Sequence, residues 1–416
     1  MPASALRSDQ PHALLYHARA ATPFCSPEGE LYASIPSSID SRRVLPLRSA
    51  EFRDWLTANY FAEYESAPSA GAFRDVLRTL EARARYGDLP SQKIDYRIGF
   101  EGDPFTPSEV VVDLANSTGG TVEITPQGWD IATNFRHCFR EFPSTLPLPE
   151  PAPAAPGSEP LHQFANLFQL SPSNRARVFT WIAAALRPVG PYPVLVLSGP
   201  AASGKSVLAR ALRALIDPCT VPLRRLPASD RELLQSADQN WILAFDHVER
   251  IPSKISQALC SISSGDAIEI TQPDYRDPVV CQIARPLILC VAEDGTPSRW
   301  TPSRALSNRA LCVPLPRISA LRPEAQIWST FEAFRPSALA ALCGSVSTAL
   351  RRVRDIDVAN VTRRPDCAAW AAAAAPALGL EESEVFEAIG NSGWVRAAGE
   401  PLSEAYTDSR WGRTGV

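Results

Sequence analysis

The spacing of apolar positions changes from one stretch of this chain to the next, and the changes divide it. Near the start, residues 12–20 carry a short helical pattern and 30–35 a short strand pattern. Two stronger helical patterns follow. One covers 50–64, with Phe52, Trp55, Leu56 and Tyr60 near one face. The other covers 70–86, with Phe73, Val76, Leu77, Leu80 and Ala84 at three- and four-residue spacing. Strand-like runs come next at 96–100, 110–114, 121–124 and 129–132. The stretch 144–160 (STLPLPEPAPAAPGSEP) then breaks all periodicity, and its prolines favour an extended spacer.

Beyond the spacer, helices are expected over 161–170 and 173–186. Val194, Leu195, Val196 and Leu197 then form an apolar run without alternation, the pattern of a strand buried on both faces of a parallel sheet. Residues 241–245, 287–291 and 311–315 read the same way. Between these runs lie a helix from Gly204 onward, with Val207, Leu208, Ala211, Leu212 and Leu215 on one face, and a short helix opened by the capping box Ser229-x-x-Glu232. A third helix is capped by Ser253 and runs through 262, and 267–271 with 278–283 predict a hairpin whose tip is 272–277. After 323 the pattern is helical, with expected helices at 324–334, 337–353, 366–375 and 382–389. Trp370 among alanines points to close helix packing. The reading is therefore an α+β module at 1–143, a linker at 144–160, a three-layer α/β domain at 161–322 and a helical domain at 323–416.

Composition narrows the classes. At 416 residues the chain can bury a sizeable core, and 45% hydrophobic with 21% charged residues describes an ordinary globular protein. A net charge of −4 provides no global basic field, so nucleic acid must be met by a local patch or channel. No run of eighteen apolar residues and no signal peptide is evident, so neither a membrane span nor export is expected. The nine cysteines include no C-x-x-C pair or Cys/His cluster. Their odd number fits thiols in a reducing cytoplasm.

The chemistry concentrates after the 194–197 run. Gly199, Pro200, Ala201, Ala202, Ser203, Gly204, Lys205 and Ser206, followed by Val207, complete the pattern G-x-x-x-x-G-K-S between a strand and a helix, the context in which it binds phosphates. Glycines let backbone N–H groups curl around a polyphosphate, and the helix N-terminus adds partial positive charge. Lys205 supplies a point charge for the β/γ oxygens and the Ser206 hydroxyl a ligand for Mg²⁺. The chain has only three lysines (Lys93, Lys205 and Lys254), and one stands where a compact ammonium is needed. The 241–245 run ends in Asp246, the expected second holder of Mg²⁺, and His247 follows it.

From about 191 to 380 the chain resembles the ATPase part of replication proteins of phages and integrative elements. Those are primase-associated helicases related to viral superfamily 3 and, more distantly, to AAA+ proteins. The phrases PYPVLVLSGPAASGKSVLARALRALIDP, NWILAFDHVERIP, ALCSISSGD, ARPLILCVAEDG and SNRALCVPLP carry the resemblance through their order. It implies a P-loop NTPase fold and a ring-forming, homo-oligomeric, ATP-driven translocase on single-stranded DNA threaded through its pore. It also implies ATP and Mg²⁺ as cofactors. A primase would be a separate partner, because no primase carboxylate cluster is recognisable here. Arg309 matches an arginine finger toward a neighbouring subunit, with Arg304 as its rival, and the 272–277 hairpin tip with Arg276 matches a DNA-gripping pore hairpin. Two positions depart from the pattern. His247 replaces the usual acidic residue or Asn, and Cys290 stands where a polar sensor is common, so water activation would fall to Glu249 or Glu293. The alternatives are a nucleotide-gated oligomeric scaffold with weak turnover and a small-molecule kinase.

Overall fold

The computed structural model describes residues 10–38, 41–133, 136–270, 279–292, 302–359 and 364–390. By contact density the chain divides into two units. The first comprises 1–99, 111–122 and 131–143. It opens with α1 (Gln10–Ala18), β1 (Thr22–Cys25), β2 (Leu31–Ser38) and β3 (Ser41–Pro46), whose strands pair antiparallel in sequence order. Helices α2 (Ala50–Tyr64) and α3 (Ala70–Tyr86) follow. Each is started by a serine hydroxyl that accepts from a first-turn N–H, Ser49 from Phe52 and Ser69 from Ala72. Their apolar stripes meet in a core of Leu14, Ile35, Leu45, Phe52, Leu56, Val76 and Leu80. Strands β1 and β3 left no signal in the apolar pattern. TPFC and SRRVLP are short and carry proline or adjacent arginines, and pairing with β2 rather than periodicity holds them.

Strand β4 (Ile94–Asp95) precedes β5 (Ile98–Gly102), β6 (Pro107–Asp113), β7 (Thr121–Thr125) and β8 (Gly128–Ala132), which form a four-stranded sheet in that order. Strand β9 (Cys138–Phe139) pairs parallel with β4.

The second unit comprises 100–110, 123–130 and 144–416. Helices α4 (Pro160–Leu167) and α5 (Pro172–Ala185) lead into β10 (Val194–Gly199), α6 (Lys205–Ile216), α7 (Asp230–Asp238), β11 (Leu243–Val248) and α8 (Ser253–Ser264). The hairpin β12 (Ala267–Ile270) and β13 (Val279–Gln282) follows, then β14 (Leu287–Ala292), α9 (Arg304–Ser307) and β15 (Ala310–Pro314). Strands β10, β11, β14 and β15 make a parallel sheet in the order β11-β14-β10-β15. All six residues of β10 are buried, which explains its unbroken apolar run. On one face, Val194, Val196, Leu243, Phe245, Leu287 and Leu289 pack on Leu233 and Leu234 of α7 and on Ile255, Leu259 and Ile262 of α8. Leu195 and Leu197 alternate to the other face, and α5 and α6 also pack on the strands, giving three layers. Each such fully buried side chain contributes about 1.5–3 kcal/mol.

A buried polar cluster fixes where β11 begins. The Asp217 carboxylate accepts from the backbone N–H groups of Trp241 and Ile242, both at 3.0 Å. The Arg213 guanidinium donates to the Asn240 side chain and to the Pro222 carbonyl. Arg285 donates to the Ala237 and Asn240 carbonyls at 2.9 Å and lies over the Trp241 ring.

Two expectations change in the helical parts. Helices foreseen at 324–334 and 337–353 are one helix, α10 (Glu324–Arg352), with Pro336 inside it. Proline removes a backbone donor and usually breaks a helix. Here burial runs through it: Phe331, Phe334, Ala338, Leu339 and Leu342 are all in the core. The Pro336 carbonyl also accepts from Ala152, and Arg335 donates to the Ala214 carbonyl at 2.7 Å. Helix α4 stops at Leu167 rather than 170, because Gln169 is left-handed at φ 51°. Helices α11 (Pro365–Ala374) and α12 (Glu382–Gly390) complete the unit, and the Trp370 indole donates to the Ala183 carbonyl of α5. Among the described residues no helix is long and apolar enough to cross a membrane.

Candidate functional site

Strand β10 ends in Gly199, and the chain must turn sharply before α6 begins at Lys205. Gly199 sits at φ 148°, and a Cβ there would lie 2.2 Å from the Leu315 carbonyl oxygen. Gly204, at φ 79°, caps α6 in the left-handed region, which glycine enters without steric cost. Ala202 is also left-handed, at φ 60°, without being glycine. The turn is held from the side: Leu315 N–H donates to the Ser198 carbonyl and Ile318 N–H to the Ala202 carbonyl. Lys205 folds back over the turn, its ammonium donating to the carbonyls of Gly199 and Pro200 at 2.7 Å and to Ser203 Oγ at 3.1 Å.

Asp246 sits near the end of β11, at the same end of the sheet. The pairing of β11 with β14 slips between Phe245 and Val248, so Asp246 and His247 bulge where β14 has only Cys290. The bulge turns His247 to φ 54° and leaves its side chain 77% exposed, whereas that of Asp246 is 17% exposed. The Asp246 carboxylate accepts from His247 N–H at 2.8 Å and lies 3.9 Å from the His247 ring. Burial, reinforced by the nearby Asp246 carboxylate, pushes the Cys290 thiol far above its ordinary range, and Lys205 only partly offsets this. Cys290 is therefore a neutral thiol and a weak hydrogen-bonding group.

These pieces border one cavity of about 500 Å³, lined by Ala201 to Leu208, Asp246, His247 and Cys290. Further walls went unnoticed in the sequence: Leu167, Phe168 and Gln169 at the end of α4, and Leu315, Ile318, Leu321, Arg322, Glu324 and Ile327 around the start of α10. These residues carry no motif and gain their place only through folding. The rim is tied down at two points. Arg322 donates to the Leu167 carbonyl at 2.6 Å, and Arg210 of α6 pairs with Glu324 at 2.6 Å. The Arg210 guanidinium, helped by the Trp328 indole, holds the Glu324 carboxyl below the usual carboxylate range.

Other predicted residues lie elsewhere. Glu249 is exposed beyond β11 and does not line the cavity. Arg309 stands just before β15, at the opposite edge of the sheet, donating to Ser264 Oγ at 3.0 Å and to the Ala305 carbonyl. Arg304 is the exposed first residue of α9. Arg276, with the hairpin tip, and Glu293 lie outside the described residues. The site fits Mg²⁺ in its donors. Ser206 and Asp246 offer hard oxygens in one cavity, and among the described residues no cluster of three or more His, Cys, Asp or Glu side chains forms a protein-only metal cage. Mg²⁺ is usually held by one or two carboxylates together with substrate phosphates and water.

A parallel α/β sheet with a glycine turn, a lysine and a strand-end aspartate around one cavity defines the class of this protein. A family model described as "Actinomycete integrative conjugative element replication protein" matches residues 161–391, more than half of the chain. The protein belongs to that family of mobile-element replication proteins. No curated protein matches its sequence. Among solved structures it is similar to SCCmec type IV Cch, described as an active helicase, at 12% identity and a TM-score of 0.44, over 88% of this chain and 71% of that one. It is also similar to the apo C-terminal region (305–718) of NrS-1, at 10% identity and a TM-score of 0.43, over 80% and 69% of the two chains.

Proposed function

We propose that this replication protein is an ATP-dependent DNA helicase or translocase with a P-loop NTPase core, working as a homo-oligomeric ring on single-stranded DNA. The observation that carries the reading is the meeting of the 199–206 turn with Asp246 in one cavity. In this reading the strained turn directs backbone N–H groups toward the phosphates, and Lys205 exchanges its carbonyl partners for β/γ oxygens. Ser206 and Asp246 would hold Mg²⁺, which would supply positive charge against the phosphates when bound. The apolar walls at Leu167, Phe168, Ile318, Leu321 and Ile327 suit the flat face of a purine. Hydrolysis forms a bond from a water oxygen to the γ-phosphorus. The bond to the β,γ-bridging oxygen breaks, that oxygen keeps the electron pair on ADP, and the water proton passes to solvent. His247, which lies beside Asp246, orders that water in this reading, and Arg309 serves a neighbouring subunit. Arg276 contacts DNA phosphates. The four-part division at 1–143, 144–160, 161–322 and 323–416 belongs to the same reading, as does a separate primase partner.

A second reading, a nucleotide-gated scaffold, is favoured by one observation: the position opposite the Asp246 bulge holds a neutral buried thiol, and Glu249 is outside the cavity. The two readings separate in a single assay. Phosphate release from ATP should rise on adding single-stranded DNA and disappear in Lys205→Ala. ATP binding without DNA-stimulated release would favour the scaffold, and no uptake of ATP with Mg²⁺ would refute both.

A further inference from the structure

The cavity beside the 199–206 turn has two chemically different parts. Its hydroxyl, ammonium and carboxylate groups, on Ser203, Lys205, Ser206 and Asp246, belong to the turn and to the end of β11. The walls from α4 and from the approach to α10 are apolar at Leu167, Phe168, Ile318, Leu321 and Ile327, and Leu321 is 69% exposed. Among the described residues three polar side chains interrupt these walls: Gln169, Arg322 and Glu324. Two of them are held by the protein. Glu324 Oε1 accepts from Arg210 at 2.6 Å and from the Trp328 indole at 3.0 Å. Arg322 donates to the Leu167 carbonyl at 2.6 Å, and a guanidinium can only donate. Gln169 differs: among the described residues its side-chain amide has no hydrogen-bond partner.

Gln169 also stands where a helix commonly ends in glycine. Its N–H donates to the Asn166 carbonyl at 3.1 Å, and Leu170 N–H donates to the Ala165 carbonyl at 2.9 Å. These are the paired bonds of a Schellman ending, and its left-handed residue is Gln169 at φ 51°. Glycine takes that conformation without steric cost and glutamine does not. What glutamine adds is a planar amide on the cavity wall, two residues past the carbonyl that Arg322 pins.

An amide presents an acceptor and two donors. Adenine sets its N6 donor beside a ring-nitrogen acceptor on both edges, N7 on one and N1 on the other, so an amide can meet either edge with two bonds. Guanine fits neither edge fully. Its O6 and N7 are both acceptors, which an amide matches once. On the opposite edge the amide can turn to meet O6 and N1–H, but the 2-amino group then faces apolar walls, and a buried donor without an acceptor is costly.

We propose that Gln169 reads the base of the nucleotide, bonding adenine through its side-chain amide and so selecting ATP over GTP. This assignment rests on the nucleotide reading above and adds to it the choice of base.

The test is calorimetric titration of the full chain, and of its Gln169→Gly and Gln169→Glu variants, with the β,γ-imido analogues of ATP and GTP in the presence of Mg²⁺. The parent should bind the adenine analogue roughly tenfold or more tightly than the guanine one. Gln169→Gly removes the amide and relieves the left-handed backbone. Its urea midpoint should not fall below that of the parent, while its two affinities come within about threefold of each other. Gln169→Glu keeps the side-chain length, loses the donor and should lose the preference as well. A parental preference retained in either variant overturns the proposal. Equal weakening of both analogues also overturns it, by making Gln169 a structural residue only. A parent that binds the two alike does the same, and one that prefers the guanine analogue hands the reading to Glu324. If the parent takes up neither analogue, the nucleotide reading itself falls and the base reading with it.

Discussion

At one end of the parallel sheet the chemistry is carried by backbone. Gly199, Ala202 and Gly204 take left-handed or similarly restricted conformations, Lys205 is satisfied by carbonyls, and Asp246 is set by a bulge. At the other end side chains dominate: Arg309 donates to Ser264 Oγ and Arg364 to the Arg309 carbonyl, with little demand on the turns around them except at Arg364. The first end gathers a turn, a lysine and an aspartate of one chain around one cavity. The second holds two arginines from distant parts of the sequence in hydrogen bonds to Ser264, to the Ala305 carbonyl and to each other. The comparison teaches that the sheet keeps the glycine turn and the arginine pair apart by the length of one strand, β10.

The comparison breaks or sharpens with four variants. Lys205→Ala removes the only ammonium of the cradle and should lower phosphate release roughly a thousandfold or more. Arg309→Ala should lower it roughly a hundredfold, with recovery on mixing with Lys205→Ala. Normal hydrolysis by Arg309→Ala alone would show that the two ends do not cooperate. Gly199→Ala drives a Cβ, whose position the main chain fixes, to 2.2 Å from the Leu315 carbonyl oxygen. Gly204→Ala meets only the flexible tip of Ile318 at 3.1 Å. Urea denaturation should therefore show a loss of about 2–3 kcal/mol for the first and about 1 kcal/mol for the second. Equal losses would mean that the close approach at Gly199 is not what shapes the turn.

The smallest effect is at the rim. Glu324→Gln breaks a half-exposed pair with Arg210 and should cost less than about 1 kcal/mol after solvent screening. Because the folded Glu324 carboxyl titrates below its ordinary value, its contribution is present above the unfolded carboxylate range. It is lost as the pH falls through the lowered folded value. The melting temperatures of parent and variant should thus differ at neutral pH and converge in acid. A gap that persists in strong acid would assign the effect to packing instead.

The sequence made the cradle legible because its chemistry is local. The glycines, Lys205 and Ser206 are consecutive, and the buried runs on either side show β10 and α6 directly. Asp246 was legible because a run without alternation must end somewhere, and its end carried a carboxylate. The bulge at His247 was not, since register slip depends on β14, forty residues away in the chain. The walls at Phe168 and Leu321 were hidden for the same reason, and so was the fastening of Arg364 to the carbonyl of residue 309. Pro336 misled in the other direction: a local breaking rule was overridden by apolar contacts on both sides.

That uninterrupted helix has a mechanical result. Its first residue, Glu324, grips Arg210 at the mouth of the cavity beside the 199–206 turn, and its last, Arg352, grips Glu382 and the Ala373 carbonyl among the C-terminal helices. A rod of twenty-nine residues, about 43 Å at 1.5 Å per residue, thus joins the two places. The cavity mouth and the C-terminal helices are therefore fastened to opposite ends of one continuous helix, so neither can shift along its axis without pulling on the other.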